Sequence, residues 1–295
     1  MRSGLGQWLV EHRAARIGLI AGLLPLPVTS VLSAALVVTV TIARGWRVAV
    51  ADCLLAFAVL GLVTISADGA WQQVALSGIS TWATAMLLGA LTGGFGTLTL
   101  SLQALLVIGV LGLGVFAVVV DNPTAFWESI LARFAEQMSA FGMPLAEPEA
   151  VLELAPIMSG LVASSVVMSS TLALLIGTWW AGGAGGAEFR ALFVSIRLGY
   201  VVGGIAVLAG LAALLGMGQV AGNVLLVLGI GFVFQGLAVV HWLVAARGLP
   251  WALLILVYLP MFLGASILVL TLFLLATVGF VDNWYGLRRA GRNER

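Results

Sequence analysis

The chain contains no lysine, and all 13 of its basic residues are arginine. A Walker A phosphate loop, a Schiff-base enzyme and a Ser–Lys catalytic dyad all require lysine, so these classes are excluded. Charged residues make up 8% of the sequence, whereas soluble domains carry about 25%. With so few charges and a net charge of +1, the chain is neither a soluble globular enzyme, nor a disordered segment, nor a nucleic-acid binder.

Cysteine and histidine are also scarce. Cys53 is the single cysteine, which excludes an intramolecular disulfide, and the two histidines, His12 and His241, lie far apart in the sequence. The patterns HExxH, CxxC and DxD are absent, and Gly78-Ile79-Ser80-Thr81 departs from the GxSG of an intramembrane serine protease. We therefore expect no catalytic activity, no bound metal and no cofactor.

Apolar sequence is abundant: 62% of the residues are hydrophobic, and the mean hydropathy is +1.16. A membrane span needs about 20 apolar residues, and in lipid it must satisfy its own backbone hydrogen bonds, which favours helices. The short alternating segments of a transmembrane barrel are absent. The sequence predicts an all-α transmembrane bundle that forms one integral membrane domain over 1–295. Eight apolar segments lie at about 17–43, 48–65, 74–92, 97–120, 156–181, 198–216, 222–246 and 251–281.

The first and the last apolar segments are unusually long and contain proline. Pro25 and Pro27 lie in the first segment, and Pro260 lies in the last. Proline removes a helical hydrogen bond and bends the helix. Each segment is therefore either one kinked, tilted span or a re-entrant element that returns to its own side. These alternatives predict eight or six full crossings.

The arginine distribution bears on this choice. Eight crossings divide the 13 arginines into groups of eight and five, whereas six crossings leave only Arg133 outside the cytoplasm. The positive-inside rule favours six crossings, and segment length favours eight. We give length the greater weight and keep six crossings open. Both arrangements place the two termini in the cytoplasm, across a bacterial inner membrane.

The longest polar stretch, 121–155, contains six of the twelve acidic residues. Asn122 followed by Pro123 is typical of a helix start. Apolar residues then recur at every fourth position, which predicts an amphipathic interfacial helix. We expect this helix to lie on the membrane surface or to cap the bundle; a gate over a cavity, or a docking surface, is the alternative. The recurring residues are Phe126, Ile130, Phe134 and Met138.

Small residues predict close helix packing. Glycine pairs with GxxxG spacing recur, and such pairs let helices approach closely. Ser165 and Ser169 belong to a run of hydroxyl residues in the fifth segment, which predicts either packing or a polar stripe that lines a substrate path. The glycine-rich run at 182–186 predicts a flexible turn. The GxxxG pairs include Gly89/Gly93, Gly199/Gly203 and Gly218/Gly222.

Polar residues inside the apolar segments are the functional candidates, because hydrocarbon makes them costly. Gln103 lies in the fourth segment, and Gln235 lies in the middle of the seventh. His241 lies near the end of the seventh segment, where interfacial anchoring is the alternative role. Asp52 is the one acid inside an apolar segment, and we expect it to form an interfacial ion pair with Arg44 or Arg47; a coupling site is the alternative.

The C-terminal segment carries the clearest pattern, from Gly279 to Arg289. Its candidate residues are Asp282, Trp284 and Arg288, all of which lie in the predicted basic cytoplasmic tail over 282–295. On a continuous helix Arg288 lies too far from Asp282 for an easy bond. Asp282 is therefore either a solvated part of a local membrane anchor or the partner of an arginine from another loop, Arg197 or Arg247, which would hold the last helix to a neighbouring one.

This C-terminal pattern, G-x-x-D-x-W-aromatic-x-x-R, resembles that of the YybS-like family of predicted bacterial inner-membrane proteins. The stretches Thr92–Gly96, Asn122–Pro123 and Phe234–Ala238 agree with the same family in style. The family has no assigned activity, but it is distantly similar to the six-span S-components of energy-coupling-factor vitamin transporters. The resemblance implies a small-molecule transport or substrate-capture module.

A non-catalytic membrane scaffold or assembly partner is the second functional class, because buried polar groups are few. The expected partners are the lipid bilayer and either another membrane protein or a second copy of the chain, without nucleic acid. A cavity with convergent polar groups would favour transport, and a filled bundle would favour a scaffold.

Overall fold

The computed structural model describes residues 4–26, 28–66, 71–143, 147–182, 186–216 and 218–290, and all regular structure within these ranges is helical. The predicted all-α fold is therefore confirmed. Three 3₁₀ turns accompany the α-helices at Ala155–Ile157, Trp251–Leu254 and Leu259–Phe262. The helices are α1 (Leu5–Glu11), α2 (Arg13–Leu23), α3 (Ser30–Arg44), α4 (Trp46–Ser66), α5 (Trp71–Phe95), α6 (Leu98–Val119), α7 (Pro123–Ala140), α8 (Pro148–Leu152), α9 (Met158–Ala181), α10 (Ala187–Val194), α11 (Gly199–Leu214), α12 (Gln219–Ala246), α13 (Ile255–Tyr258), α14 (Ala265–Tyr285) and α15 (Leu287–Ala290).

Six stretches of the described chain are long and apolar enough to cross a membrane. The helices α10 and α11 add a seventh if they form one broken span. The protein is thus a multi-pass membrane protein, as predicted. The six stretches are Trp46–Thr64, Trp71–Phe95, Leu98–Val119, Glu149–Ala181, Gln219–Ala246 and Ala265–Tyr285.

The chain divides into two compact units. Unit 1 contains residues 1–105 and 168–197, and unit 2 contains residues 106–167 and 198–295. Two boundaries fall inside the helices α6 and α9, and the third separates Arg197 from Leu198.

In unit 1 the first apolar segment folds back on itself. Ser33, near the start of α3, donates a hydrogen bond from its Oγ to the carbonyl of Ile20, near the end of α2, at 2.7 Å. In one continuous helix these residues would lie about 20 Å apart, because each residue adds 1.5 Å. The break around Pro25 therefore makes a hairpin of two short helices, and the prediction of a single tilted span is wrong for this segment.

The second arm of that hairpin, α3, forms the core of unit 1. Every residue from Ser33 to Thr41 is buried, as expected for a helix that is apolar on all sides. Gly89 lies against α3 so closely that a Cβ there would meet the Thr41 side chain at 2.8 Å. Trp82 donates from its indole Nε1 to Ser33 Oγ at 3.0 Å. The Gly89/Gly93 pair thus marks a real helix contact.

In unit 2 the last apolar segment breaks at Leu263–Gly264, where Gly264 has φ 125°. A short helical stretch at 251–262 precedes the break, and the full-length helix α14 follows it. The segment therefore consists of a short helical stretch followed by a span-length helix. Neither predicted alternative describes the whole segment. Helix α14 runs antiparallel to α12, since Gly279 abuts the Phe232 carbonyl while Gly236 abuts the Leu275 carbonyl.

The amphipathic helix α7 begins as predicted. Asn122 Oδ1 accepts a hydrogen bond from the Ala125 amide at 3.0 Å, and Pro123 is the first helical residue. Helix α7 packs on the rest of unit 2 through a face that contains Trp127 and the buried Leu131. The Nε1 of Trp127 donates to Ser159 Oγ at 2.8 Å. Each residue of the predicted apolar line precedes a position of this packed face by one residue in the sequence. Phe126 and Phe134, which belong to that line, are exposed. Contact of that line with lipid remains a prediction.

Candidate functional site

The most unusual feature of unit 2 is that α11 begins level with the middle of α12. The amide N–H of Leu198, just before α11, donates to Oε1 of Gln235 at 3.0 Å. The first N–H groups of a helix have no partner within that helix. At this start, the fully buried side-chain amide of Gln235 replaces the missing carbonyl.

Asn283 holds the next residue of the same helix start at two points. Its Oδ1 accepts from the Gly199 N–H at 2.8 Å, and its Nδ2 donates to the Gly199 carbonyl at 2.9 Å. Gly199 has φ 81°, a conformation that favours glycine. Gly203 leaves room for the amide, because a Cβ there would lie 2.5 Å from Asn283 Nδ2.

Asp282 completes the arrangement with a buried ion pair. Its Oδ2 accepts from Gln235 Nε2 at 2.8 Å and from Arg288 Nη2 at 2.7 Å, while its Oδ1 accepts from Arg288 Nε at 3.4 Å. The carboxyl is fully buried. These contacts all come from donors, so they match an ionised carboxylate.

The predicted pairing of Asp282 with Arg197 or Arg247 is wrong, because Arg288 is its partner. The prediction assumed that the last helix continues, but α14 ends at Gly286, which has φ 61° and ψ 51°. This left-handed residue turns the chain and brings Arg288 back onto Asp282. Glycine just after an apolar helix is a known stop signal, so the sequence contained the clue.

We call Gln235, Asp282, Asn283 and Arg288 the clamp. It joins three helices, since Gln235 belongs to α12, Asp282 and Asn283 end α14, and the bonded amides begin α11. Trp284 borders the clamp with its ring against those of Tyr200 and Phe280. Three of the clamp residues were candidates from the sequence. Asn283 was missed, although a second polar side chain directly after Asp282 was a usable signal.

The remaining sequence candidates lie outside the clamp. His241 Nε2 is 2.8 Å from the Tyr258 hydroxyl, and burial raises the pKa of that phenol, which keeps it protonated. Gln103 is partly buried on α6 in unit 1. Ser165 is exposed and bonds back to the Leu161 carbonyl at 2.8 Å, and Ser169 is partly buried on the same helix.

A second buried ionic cluster lies in unit 1. Asp52 is fully buried, and its Oδ1 accepts from Arg13 Nε at 2.8 Å while its Oδ2 accepts from Arg16 Nε at 2.9 Å. The expected pairing with Arg44 or Arg47 is wrong; both of these arginines are exposed. Because the hairpin places the start of α2 beside α4, Arg13 and Arg16 contact Asp52 although they are distant from it in sequence.

Arg16 also closes the end of α1. Its Nη1 donates to the carbonyls of Val10 at 2.7 Å and Leu9 at 3.2 Å. The last carbonyls of a helix lack intrahelical partners, and a guanidinium there is favourable. This cluster therefore joins the end of α1 to the starts of α2 and α4, which is a structural role.

Another side-chain amide caps α9 within unit 2. Asn223 Oδ1 accepts from the Gly160 N–H at 2.7 Å, and its Nδ2 donates to the carbonyls of Pro156 and Gln219 at 3.1 and 3.0 Å. The neighbouring cavity, which Pro123 and Ser159 also line, has a volume of about 30 Å³. It has room for water, but small-molecule pockets measure about 300–1,000 Å³.

The glycines of unit 2 differ in their use. Gly203 and Gly199 serve the clamp, whereas Gly218 and Gly222 face open space. The Gly218/Gly222 pair therefore marks no tight contact among the described residues. Within the glycine-rich run, positions 183–185 lie outside the described residues, as does the 291–295 part of the predicted tail.

The described residues contain no group of three or more His, Cys, Asp or Glu side chains placed to hold a metal ion. No known family, no curated protein and no solved structure matches the chain. The structure alone shows a multi-pass helical membrane protein.

Proposed function

We propose that the protein is a non-catalytic transport or substrate-capture module for a small solute in a bacterial inner membrane. The observation that carries this proposal is the start of α11, which lies level with the middle of α12 and is bonded by side chains of the clamp. Irregular backbone at membrane depth is tolerated where protein buries it or where it lines a water-filled cavity. Many transporters bind their solutes at such interrupted helices near the bilayer midplane.

The buried charges support the same proposal. Ionisable side chains inside membrane segments are rare and commonly mark solute or ion pathways. Asp282 and Arg288 neutralise each other beside the backbone amides of Leu198 and Gly199. These amides and charged groups bond one another within the clamp, so a polar solute would bind here by exchanging its own hydrogen bonds for those of the clamp. The resemblance to the YybS-like family, and through it to S-components, also favours a transport or substrate-capture module.

The test is a ligand screen on the full-length protein in lipid nanodiscs. Water-soluble vitamins are the first panel, because the resemblance to S-components implies them. Ligand binding to the folded state raises its stability by about 2.7 kcal/mol at 100 times Kd, which raises Tm. We expect at least one compound to raise Tm. Riboflavin-like colour or fluorescence must be subtracted with a protein-free control.

A membrane scaffold is the alternative outcome of the same programme. If no solute in the vitamin, amino-acid and dicarboxylate panels raises Tm, and the protein instead copurifies at fixed stoichiometry with another membrane protein that is not an ATPase module, the transport proposal fails. Copurification with an ATPase module would support it, since S-components work with such a module.

A further inference from the structure

Three exposed arginines of unit 1, Arg13, Arg44 and Arg47, lie at one end of the hairpin and of α4. Helix α2 begins at Arg13, α3 ends at Arg44, and Arg47 lies in the first turn of α4. The hairpin returns α3 to the level at which α2 began, as the Ser33–Ile20 bond shows. The bond between Arg13 and Asp52, in the second turn of α4, places the start of α2 beside the start of α4. Arg13, Arg44 and Arg47 therefore all lie at the open end of the hairpin.

Asp52 does not neutralise this end. One carboxylate faces the two guanidinium groups of Arg13 and Arg16, which leaves a net charge of +1 on the cluster. The Arg16 side chain is buried, but 57% of the Arg13 side chain is accessible. Since Asp52 bonds the Nε of Arg13, the guanidinium is held in place while its outer edge faces outward.

The surroundings add cations and interfacial aromatic rings. Arg47 stacks on the exposed Trp46 ring, with 5.6 Å from its Cζ to the ring centroid. Trp8 stacks on His12 at 4.6 Å between centroids, one residue before α2. Glu11 is the single acidic residue among those described from residue 4 to Arg44. Tryptophan is enriched at the level of lipid headgroups, so this end has the composition of a membrane interface.

We propose that Arg13, Arg44 and Arg47 form a binding site for the phosphate group of an anionic phospholipid. Guanidinium groups bind phosphate oxygens in a bidentate manner, and clusters of arginine beside membrane helices attract anionic headgroups. The site holds the hairpin against the leaflet that contains the anionic lipid. This inference does not depend on the proposed transport function, because it concerns unit 1 alone.

The experiment measures lipid retention by the full-length protein in detergent with native mass spectrometry, using phosphatidylglycerol and phosphatidylcholine as probes. Phosphatidylglycerol is expected to stay bound, and phosphatidylcholine is not. The variant Arg44→Gln/Arg47→Gln should bind phosphatidylglycerol about 25-fold more weakly, since each arginine contributes about fivefold at a membrane surface. Neither arginine bonds Asp52, so the variant should fold. Adding Arg13→Gln should weaken binding further.

Arg133→Gln is the matched control. Arg133 is also an exposed arginine, but it lies on α7 and bonds back to the Ser129 carbonyl at 3.0 Å. Its substitution should leave lipid retention unchanged. Equal retention of the two lipids, or unchanged retention in the double variant, would overturn the proposal. So would inorganic phosphate that competes with phosphatidylglycerol at equal concentration, because the site would then bind a free anion rather than a headgroup.

Discussion

Gln235 Nε2 donates to Asp282 Oδ2 at 2.8 Å, while the other end of the same amide accepts the Leu198 N–H at 3.0 Å. One buried side chain thus links the ion pair at the end of α14 to the start of α11. Because an amide has one donor end and one acceptor end, both bonds require the amide to be in this one orientation. A change at Asp282 is therefore transmitted to the start of α11 through a single group.

The ion pair of the clamp should dominate the stability of unit 2. Asp282→Asn leaves the Arg288 guanidinium without its counter-charge, and loss of one member of a buried pair costs about 3–5 kcal/mol. We expect a large fall in Tm for Asp282→Asn and a smaller one for the double variant Asp282→Asn/Arg288→Gln, which removes both charges. Glu128→Gln, at an exposed position on α7, is the control. If the losses of Tm in Asp282→Asn and in Arg288→Gln simply added in the double variant, the two residues would not interact.

Gly203 should tolerate no side chain. In Gly203→Ala the new Cβ would lie 2.5 Å from Asn283 Nδ2 and force the amide away from Gly199. We expect a loss of about 1–3 kcal/mol, the usual cost of overpacking. The neighbouring Gly204 faces open space, so Gly204→Ala should be neutral or slightly stabilising through helix propensity. Thermal unfolding of the two variants decides the matter, and equal Tm values would argue against close contact at Gly203.

The crossing of α12 and α14 should be equally intolerant. A Cβ at Gly236 would clash with the Leu275 backbone carbonyl, which cannot rotate away as a side chain does. Gly236→Ala must therefore separate the helices and lower Tm, as small residues at such crossings permit backbone contact. Gly229→Ala, on the same helix but facing open space, is the comparison. If Gly236→Ala kept the Tm of the wild type, the described crossing would be incorrect.

The direction of the helices predicts the topology. The folded-back first segment does not cross, and α14 runs antiparallel to α12. If α10 and α11 form one span, seven crossings result, and the termini lie on opposite sides. Single cysteines at Trp46 and Tyr285, both exposed, in a Cys53→Ala background should then be labelled from opposite sides of the membrane. Labelling from the same side would instead support the six-crossing arrangement of the sequence analysis.

The sequence predicts the helices of this protein better than their connections. Apolar length locates the spans, and the Asn122–Pro123 start of α7 follows from local capping chemistry. Hydropathy does not distinguish a tilted helix from a hairpin, because both bury the same residues. The proline-containing break around Pro25 is therefore visible in the sequence, but the direction taken after it is not.

The same limit applies to the polar clusters. Gln235, Asp282 and Arg288 are identifiable because polar groups in apolar segments are costly. Their pairing depends on the left-handed turn at Gly286, which a continuous-helix assumption removes. The partners of Asp52 depend on the hairpin that brings Arg13 and Arg16 to it from more than 30 residues away. Pairings that tertiary structure creates cannot be found from neighbours along the chain.

The central claim is that the clamp belongs to the solute path, and the most direct measurement is the dissociation constant of the solute that raises Tm. Gln235→Asn keeps an amide but shortens the side chain by one methylene, so the amide cannot reach both Leu198 and Asp282. Gln73→Asn, at an exposed position on α5, is the matched control. The account predicts that Gln235→Asn raises Kd at least about tenfold, the equivalent of 1.4 kcal/mol, while Gln73→Asn leaves Kd unchanged. An unchanged Kd in a folded Gln235→Asn protein would contradict the claim.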